Sequence, residues 1–364
     1  MAVQPASSDI CSPLSKFTDI PIVSFAAWRE GGAESRRAFA ERLRQICHEI
    51  GFFYLIDHGI DASFVSRLLA AQKQFLTLPE ETKSLVDKSK SRHFRGWERV
   101  GAELTDNRVD WREQLDLSSD NPPFPDDALP HYLRLDGPNQ WLPDELCPGF
   151  KGIVEEYFSR MKSLADELMA ALGVALGLPE DTFSRLFGER PLALAKLARY
   201  PTTPAGGAGV NAHKDAGFLT LLMQHGVRGL QALSPDGAWV DVEPVPDTLV
   251  VNLGEMLQSL TGNYFVATTH RVVAGQERFA TAYFHGPDLR TPLSPLSLDP
   301  SFAAAVAASE RHRSSGFMRT RDELLEGASG TGGRPVSTYG IMLWNYYCRA
   351  YPDNVKTHYP DAML

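Results

Sequence analysis

A histidine and an aspartate two positions apart, His213 and Asp215, together with the distant His270, constrain this chain more than any other feature. Side chains two positions apart on a strand point to the same face, so His213 and Asp215 can bind one ion together. His270 must come from another strand, because three ligands on one face of an octahedron require a barrel that brings distant strands together. Two imidazoles and one carboxylate that leave other coordination positions open suit iron(II). The motif therefore predicts a barrel that holds iron(II) through these three residues.

The alternative for His213 and Asp215 alone is a surface turn. An aspartate at the beginning of an apolar strand is disfavoured unless something pairs with it, and a metal ion would supply that partner. His270 and the nearby Arg278 favour the metal site over the turn.

A second candidate site residue, Arg278, begins a strand-like run that ends at His285. Alternation places Arg278 on one face with Ala280, Ala282 and Phe284, and His285 on the other. Three of these four residues are small or apolar, so this face points inward. An inward guanidinium requires an anion, which is either the carboxylate of a ligand or a structural Asp or Glu. We favour the ligand.

The composition is that of a globular protein with a large core: 364 residues, of which 43% are hydrophobic and 22% charged. The net charge of -9 and the lack of a basic stripe exclude nucleic acid from the expected partners. Basic residues are densest between Lys88 and Arg99, where Asp87 and Glu98 interrupt them, and we expect a solvated loop there.

Several features indicate a cytoplasmic protein without a membrane partner. The four cysteines form no CxxC pair, which fits a reducing compartment. The first residues lack the charged and apolar regions of a signal peptide. The longest apolar helical run, around residues 169–178, is too short to span a bilayer. The oligomeric state is not indicated.

The first half of the chain predicts helices alternating with short strands. Residues 87–150 have weak periodicity and read as a long loop with short strands that covers a site, where Arg95, Trp97 and Arg112 are possible substrate contacts. The predicted elements are a strand over residues 20–25, a helix over 34–50, a strand over 52–56, a helix from Asp61 to Pro79 and a long helix over 151–178.

From residue 192 onward the pattern changes to short strands separated by Gly, Pro, Asp and Asn. Strands at this density predict an antiparallel sandwich or barrel, and a jelly roll is favoured because its mouth can hold a metal between two sheets. Helical patterning returns near residues 338–350. The predicted strands cover residues 195–200, 218–224, 229–233, 239–243, 248–252, 270–273 and 278–285.

The chain resembles the iron(II)/2-oxoglutarate oxygenases of the isopenicillin N synthase type. The likeness rests on Ile20-Pro21-Ile22, on residues 51–60 and 78–83, and on the Val251-Asn252-Leu253-Gly254 run that precedes His270. It implies a mainly β fold with flanking helices, a distorted double-stranded β-helix of the jelly-roll, cupin-like kind.

The resemblance also implies roles for individual residues. It makes His213, Asp215 and His270 the iron ligands and catalytic centre. It makes Arg278 the anchor for the distal carboxylate of 2-oxoglutarate, assisted by Tyr200. The implied cofactor is iron(II), with 2-oxoglutarate and O2 as cosubstrates.

One position departs from the family pattern, which has serine two residues after the arginine where this chain has Ala280. The missing hydroxyl removes a hydrogen bond worth about 1 kcal/mol. The segment around Arg278 and the Tyr351-Pro352-Asp353 run are similar to bacterial ethylene-forming enzyme. In that enzyme an arginine that contacts the cosubstrate stands where this chain has Lys196, so Lys196 is a further predicted contact to 2-oxoglutarate.

We therefore expect an enzyme that hydroxylates or desaturates an unactivated C–H bond of a small molecule, as in specialised metabolism. The alternatives are an oxidase that needs no 2-oxo acid, ethylene formation from 2-oxoglutarate itself, and a non-catalytic metal-binding sensor. We expect one compact unit of four parts: N-terminal region and covering loops (1–150), support helix and linker (151–190), jelly-roll core (191–290) and C-terminal tail (291–364).

Overall fold

Two β-sheets form the centre of the computed structural model, which describes residues 19–105, 108–202, 208–273, 275–314 and 338–362. The strands of the described residues are β1 (Ile22–Ser24), β2 (Phe52–Ile56), β3 (Gly96–Glu98), β4 (Leu104–Thr105), β5 (Arg108–Val109), β6 (Glu113–Ser118), β7 (Leu194–Tyr200), β8 (Ala208–His213), β9 (Leu219–Met223), β10 (Leu230–Leu233), β11 (Trp239–Asp241), β12 (Leu249–Leu253), β13 (His270–Val273) and β14 (Arg278–His285).

Helices flank the sheets, and short 3-10 turns cover residues 84–86, 88–90, 131–135 and 360–362. The α-helices of the described residues are α1 (Ala26–Arg29), α2 (Ala33–Glu49), α3 (Ala62–Leu76), α4 (Glu80–Lys83), α5 (Phe150–Ala175), α6 (Thr182–Phe187), α7 (Glu255–Leu260), α8 (Pro300–Ala308), α9 (Glu310–Ser314), α10 (Tyr339–Ala350) and α11 (Pro352–His358).

The larger sheet has eight strands in the order β1-β2-β12-β9-β14-β7-β6-β3, and the smaller has four in the order β11-β10-β13-β8. A core made largely of small and β-branched residues fills the space between the sheets, with Ala198, Val210, Ala232, Val272 and Ala280 among its members. The last residue of β8, His213, lines a cavity at one end of this sandwich.

The other face of the large sheet is covered by helices, and α5 packs on β9 and β14. Its buried stripe includes Val154, Tyr157, Met161 and Leu168, and burying a large apolar side chain stabilises the fold by about 1.5–3 kcal/mol relative to an exposed one.

The predicted helix over 151–178 exists as α5 but ends at Ala175. The chain turns there because Gly177 adopts a left-handed φ of 73°, which glycine tolerates without steric cost. The amide of Leu178 then donates to the carbonyl of Gly173, which completes a Schellman end.

Two predictions about local structure are wrong. The strand that was expected to carry both His213 and Asp215 ends at His213, and Asp215 lies in the following loop. The chain leaves the sheet there because hydrogen bonds from Thr220, Asn252 and the amide of Glu255 hold Asp215 in place. The side chains of His213 and Asp215 nevertheless lie close together, although only His213 is on the strand.

Residues 87–150 contain short strands, as predicted, and two of them, β3 and β6, extend the large sheet. The basic run was expected to be solvated, yet Lys88 and Arg95 are buried.

Of the C-terminal tail, the helix predicted near 338–350 is α10, whereas residues 315–337 lie outside the described part of the chain. Within the described residues, no helix combines the length and apolarity needed to cross a membrane. The division into four parts stays a prediction.

Candidate active site

Three predicted ligands come together at the end of the sandwich where β8 stops. His213 at the end of β8 is paired with His270 at the start of β13, which sets their rings 4.4 Å apart between centroids. The Oδ1 atom of Asp215 lies 3.7 Å from the Nε2 atom of each histidine. In the described residues these three form a group of metal-binding type, with ligand atoms all within 4.8 Å of one another. One ion can therefore contact all three.

Hydrogen bonds orient each of these side chains. The Nδ1 atom of His213 lies 2.8 Å from the carbonyl oxygen of Asn211, and that of His270 lies 3.1 Å from the carbonyl oxygen of Thr268. A carbonyl oxygen only accepts, so Nδ1 carries the proton and Nε2 is left as a free electron-pair donor. Both imidazoles therefore present the atom that binds a metal.

The two carboxylate oxygens of Asp215 have different partners. Its Oδ2 atom accepts hydrogen bonds from Thr220 Oγ1 and Asn252 Nδ2, both at 2.6 Å. Its Oδ1 atom faces the two histidines. Second hydrogen bonds of this kind fix the direction of a ligand and tune its basicity. The role of Asn252 as a hydrogen-bond partner of Asp215 was not predicted, although a polar residue within the apolar strand β12 was a signal for such a role.

The electrostatics of the site favour the protonation states that bind a metal. Burial and the neighbouring His270 lower the pKa of His213 to about 4, so this imidazole is neutral near neutral pH. Burial alone would raise the pKa of Asp215, but His270, His213 and its two hydrogen-bond donors hold that pKa below its usual range. Neutral imidazoles and an ionised carboxylate are the forms that coordinate iron(II).

Arg278 lies between the two sheets, at the start of β14 and opposite Tyr200 of β7. It is only 2% exposed, and its Nε atom donates to the carbonyl oxygen of Val227 at 3.2 Å. Both terminal nitrogens are buried without a hydrogen-bond partner among the described residues. The Tyr200 ring centroid lies 5.0 Å from the guanidinium carbon. A buried cation with an unused donor fork fits a bidentate carboxylate, such as the distal group of 2-oxoglutarate.

The sequence left open a structural ion pair for Arg278. Among the described residues, no Asp or Glu forms a salt bridge with it, and burial lowers its pKa. Ala280, two positions along β14, is buried and offers no hydroxyl to an anion at this place. The opposite face of β14 carries His285, whose Nε2 atom lies 3.1 Å from Asp166 of α5, as expected for a structural role.

Lys196 is not a free cation. Its Nζ atom lies 3.2 Å from Glu103 Oε1 and 3.0 Å from Asp116 Oδ2. The side chain shares one face of β7 with Ala198 and Tyr200, but two carboxylates already balance its charge. Contact between Lys196 and 2-oxoglutarate stays a prediction. The two acidic partners were not identified from the sequence, because nothing local indicates which strands lie side by side.

A cavity of about 680 Å³ opens beside the triad. His213, Asp215 and Lys196 line it, and so do Arg95 and Arg112, as predicted for possible substrate contacts. Phe284 of β14 and Tyr346 of α10 add aromatic surface to its wall.

The third predicted substrate contact, Trp97, is not among the residues that line this cavity. Its indole is buried and donates to Glu113. Arg278 lies between the two sheets and is not among the residues that line the cavity. The whole arrangement can bind a metal, anchor an organic acid and enclose a second small molecule.

Comparison with known proteins agrees with this geometry. A family model described as the N-terminal region of non-haem dioxygenases in morphine synthesis matches residues 20–144. The model of the 2OG-Fe(II) oxygenase superfamily matches residues 192–287, which include all six predicted site residues. The two models together cover more than half of the chain.

Curated relatives extend the match over nearly the whole length. The 2-oxoglutarate-dependent dioxygenase frbJ of Dothideomycetidae sp. (strain 11243) is 35% identical over 79% of this chain and 79% of its own length. A 2-oxoglutarate-dependent dioxygenase of Gibberella zeae is 30% identical over 96% of this chain and 93% of its own length.

Solved structures confirm the predicted double-stranded β-helix. A full-length Neurospora crassa protein in complex with alpha-KG and thymine is 25% identical and superposes with a TM-score of 0.66 over 76% of this chain and 88% of that chain. The rice dioxygenase for auxin oxidation is 26% identical, with a TM-score of 0.60 over 77% of this chain and 87% of that chain. The chain therefore belongs to the iron(II)- and 2-oxoglutarate-dependent oxygenases, and it is a non-haem iron dioxygenase whose cofactor is iron(II) and whose cosubstrates are 2-oxoglutarate and O2.

Proposed function

We propose that His213, Asp215 and His270 hold the iron of this dioxygenase, and that Arg278 and Tyr200 bind 2-oxoglutarate. The observation that carries the first assignment is the Oδ1 atom of Asp215, 3.7 Å from both Nε2 atoms. The second assignment rests on the two terminal nitrogens of Arg278, which are buried and unpaired among the described residues.

Iron and 2-oxoglutarate, once bound, would supply the oxidising chemistry: O2 would be consumed, 2-oxoglutarate would become succinate and CO2, and a C–H bond of the second substrate would be oxidised. The protein contributes position and environment. Asn252 and Thr220 keep Asp215 ionised and aimed at the metal, while the carbonyls of residues 211 and 268 keep both imidazoles in one tautomer. The buried guanidinium fixes one end of 2-oxoglutarate, which limits its freedom before reaction.

The second substrate is a small molecule that enters the cavity beside the triad and is hydroxylated or desaturated there. The cavity of about 680 Å³ has the size of a small-ligand site. A structural relative was solved with thymine, which is likewise small. A cytoplasmic location and a role in specialised metabolism stay predictions from the sequence.

The sequence also left open an oxidase that uses no 2-oxo acid and in which Arg278 holds the substrate itself. The family assignment favours the 2-oxoglutarate-dependent enzyme. Succinate release tests this, because only the 2-oxoglutarate-dependent enzyme converts 2-oxoglutarate.

The test is anaerobic reconstitution with iron(II), followed by O2 and a panel of small molecules, with succinate as the readout. Asp215→Ala and His270→Ala are expected to abolish succinate release, and Arg278→Gln to require far more 2-oxoglutarate. Arg185→Gln is the matched control, because Arg185 is exposed on α6, pairs with Asp181 and does not line the cavity. Full activity in either triad variant would reject the ligand assignment.

A further inference from the structure

Some charged side chains of the cavity wall have an oppositely charged partner within the protein, and others do not. Glu103 pairs with Arg112 and Lys196, and Lys196 also pairs with Asp116. The pKa of Glu103 shows the balance: burial would raise it, but Arg112, Lys196 and Lys88 hold it well below the usual range. This network supplies its own counter-charges and needs none from a ligand.

Lys214 forms no salt bridge among the described residues, but the negative charge of Glu255 acts on it. Asp215 is assigned to the metal. Two cavity-lining cations remain, Arg95 and Arg349, and neither forms a salt bridge within the described part of the chain.

Arg95 is only 1% exposed. Its terminal nitrogens donate to neutral acceptors only: the carbonyl oxygens of His93 and Leu135, and the hydroxyl of Tyr347. Its Nε atom is buried without a partner among the described residues. A buried charge without a counter-ion is costly, so an anion inside the cavity would stabilise this guanidinium.

Arg349 lies in the last turn of α10 and is exposed, so its guanidinium is accessible to a ligand. No hydrogen bond or ion pair engages it in the described residues. It lines the same cavity as Arg95, and α10 contacts Arg95 through Tyr347. Both unbalanced cations are therefore associated with the C-terminal helix α10.

The rest of this wall is largely apolar and aromatic. Phe94 stacks on Tyr347 with 4.2 Å between centroids, and Leu117, Phe284 and Leu343 add aliphatic and aromatic surface. Such a surface accommodates the body of an apolar molecule.

We propose that the second substrate is a carboxylic acid with an apolar body, whose carboxylate is recognised by Arg349 and Arg95. The proposal rests on the proposed function, in which this cavity takes the second substrate while Arg278 is occupied by 2-oxoglutarate. Arg349 and Arg95 then determine specificity for the acidic group, and the aromatic wall selects the body.

The test compares two probes that differ in charge but hardly in shape, 2-naphthoate and its neutral amide 2-naphthamide. Binding is measured anaerobically by calorimetry on protein saturated with Mn(II) and 2-oxoglutarate, so that Arg278 is already occupied. The acid is expected to bind about tenfold more tightly than the amide, which corresponds to about 1.4 kcal/mol. Arg349→Gln and Arg95→Gln are expected to reduce this preference to about twofold or less, whereas the exposed-surface control Arg185→Gln retains it.

Equal binding of both probes by the wild type, or no binding of either, would overturn the proposal. An unchanged preference in both arginine variants would overturn it as well. Arg95→Gln can weaken folding, so its thermal unfolding is recorded, and the exposed Arg349 carries the test independently. Binding of 2-oxoglutarate itself is measured in every variant. If the wild type did not bind 2-oxoglutarate, the proposed function would be contradicted. If it bound 2-oxoglutarate but did not prefer the acid probe over the amide, only the carboxylic-acid proposal would be contradicted.

Discussion

His213 and His270 face each other across the paired strands β8 and β13, and each directs its Nε2 atom towards the same oxygen of Asp215. Backbone carbonyls determine the direction of both rings, and Asn252 and Thr220 determine that of the carboxylate. The geometry of the site thus depends as much on these hydrogen-bond partners as on the three proposed ligands.

Replacing Asn252 by alanine is expected to weaken metal binding about ten- to a hundredfold, because Oδ2 of Asp215 loses one of its two donors. The measurement is an anaerobic titration of iron(II) or Mn(II). Thr220→Val removes the other donor at nearly constant volume and should have an effect of the same direction. Wild-type metal affinity in both variants would show that these hydrogen bonds do not support the ligand.

Arg278→Gln is expected to weaken 2-oxoglutarate binding by about 2–5 kcal/mol, because truncation removes one partner of a buried, charge-assisted contact. The dissociation constant of 2-oxoglutarate in the presence of Mn(II) measures this. Metal affinity without 2-oxoglutarate should remain close to that of the wild type. A variant that binds 2-oxoglutarate normally would contradict the assignment of Arg278.

Ala280→Ser restores the hydroxyl that the family has at this position. We expect 2-oxoglutarate to bind more tightly by about 1 kcal/mol, since one further hydrogen bond becomes possible. Ala282→Ser is the matched control, because position 282 is on the same face of β14 but two residues farther from Arg278. An equal effect of both substitutions would indicate that the serine acts without contacting the carboxylate.

Gly254 lies where β12 ends and packs against the loop that carries Asp215. A Cβ atom at this position would collide with the backbone oxygen of Gly217. Gly254→Ala is therefore expected to displace that loop, with weaker metal binding and a loss of unfolding free energy of about 1–3 kcal/mol. Gly152→Ala is the control, because a Cβ at this position of α5 would meet nothing within 4 Å beyond its own stretch of helix backbone, and alanine is the better helix former. Unchanged metal affinity in Gly254→Ala would contradict the proposed packing role.

His93 makes stability depend on pH. It is 6% exposed, its Nδ1 atom lies 2.8 Å from the carbonyl oxygen of Arg134, and burial lowers its pKa from 6.5 to about 4. The unfolded chain therefore binds a proton more readily than the folded chain between these values. The contribution of His93 to stability is complete above pH 6.5 and is lost as the pH falls towards about 4, by about 3 kcal/mol at most.

Denaturant unfolding across this pH range tests the role of His93. His93→Gln keeps a neutral donor for the carbonyl of Arg134. The slope of its unfolding free energy against pH should be smaller than the wild-type slope, by the equivalent of up to one bound proton. Identical slopes for the two proteins would show that His93 is not the responsible group.

The sequence was sufficient for the residues whose chemistry is recognisable from spacing and alternation. Arg278 could be placed inward because its neighbours on the same face of β14 are small or apolar. The triad could be predicted because its residue types suit one kind of metal site. His213 and Asp215 were expected to begin a strand, whereas His213 ends β8 and Asp215 lies in the loop that follows. The hydrogen bonds that hold Asp215 there come from Asn252 and the amide of Glu255, which are distant in sequence.

The charged wall of the cavity could not be predicted in the same way. Short strands were predicted within residues 87–150, but β6 could not be located. Its buried Glu113 and Gln114 interrupt the apolar pattern, and their partners, such as Lys83 and Glu103, come from other segments. Lys88 was expected to be solvated because local sequence does not show that Asp116 lies beside it. Such pairs exist only after the sheet has formed.

The most direct test of the account is an anaerobic crystal structure with Mn(II) and 2-oxoglutarate, with the metal located by its anomalous scattering. We expect the metal within bonding distance of Nε2 of His213, Nε2 of His270 and Oδ1 of Asp215, and a carboxylate of 2-oxoglutarate on the terminal nitrogens of Arg278. A metal bound elsewhere, or a 2-oxoglutarate that leaves Arg278 unpaired, would contradict it.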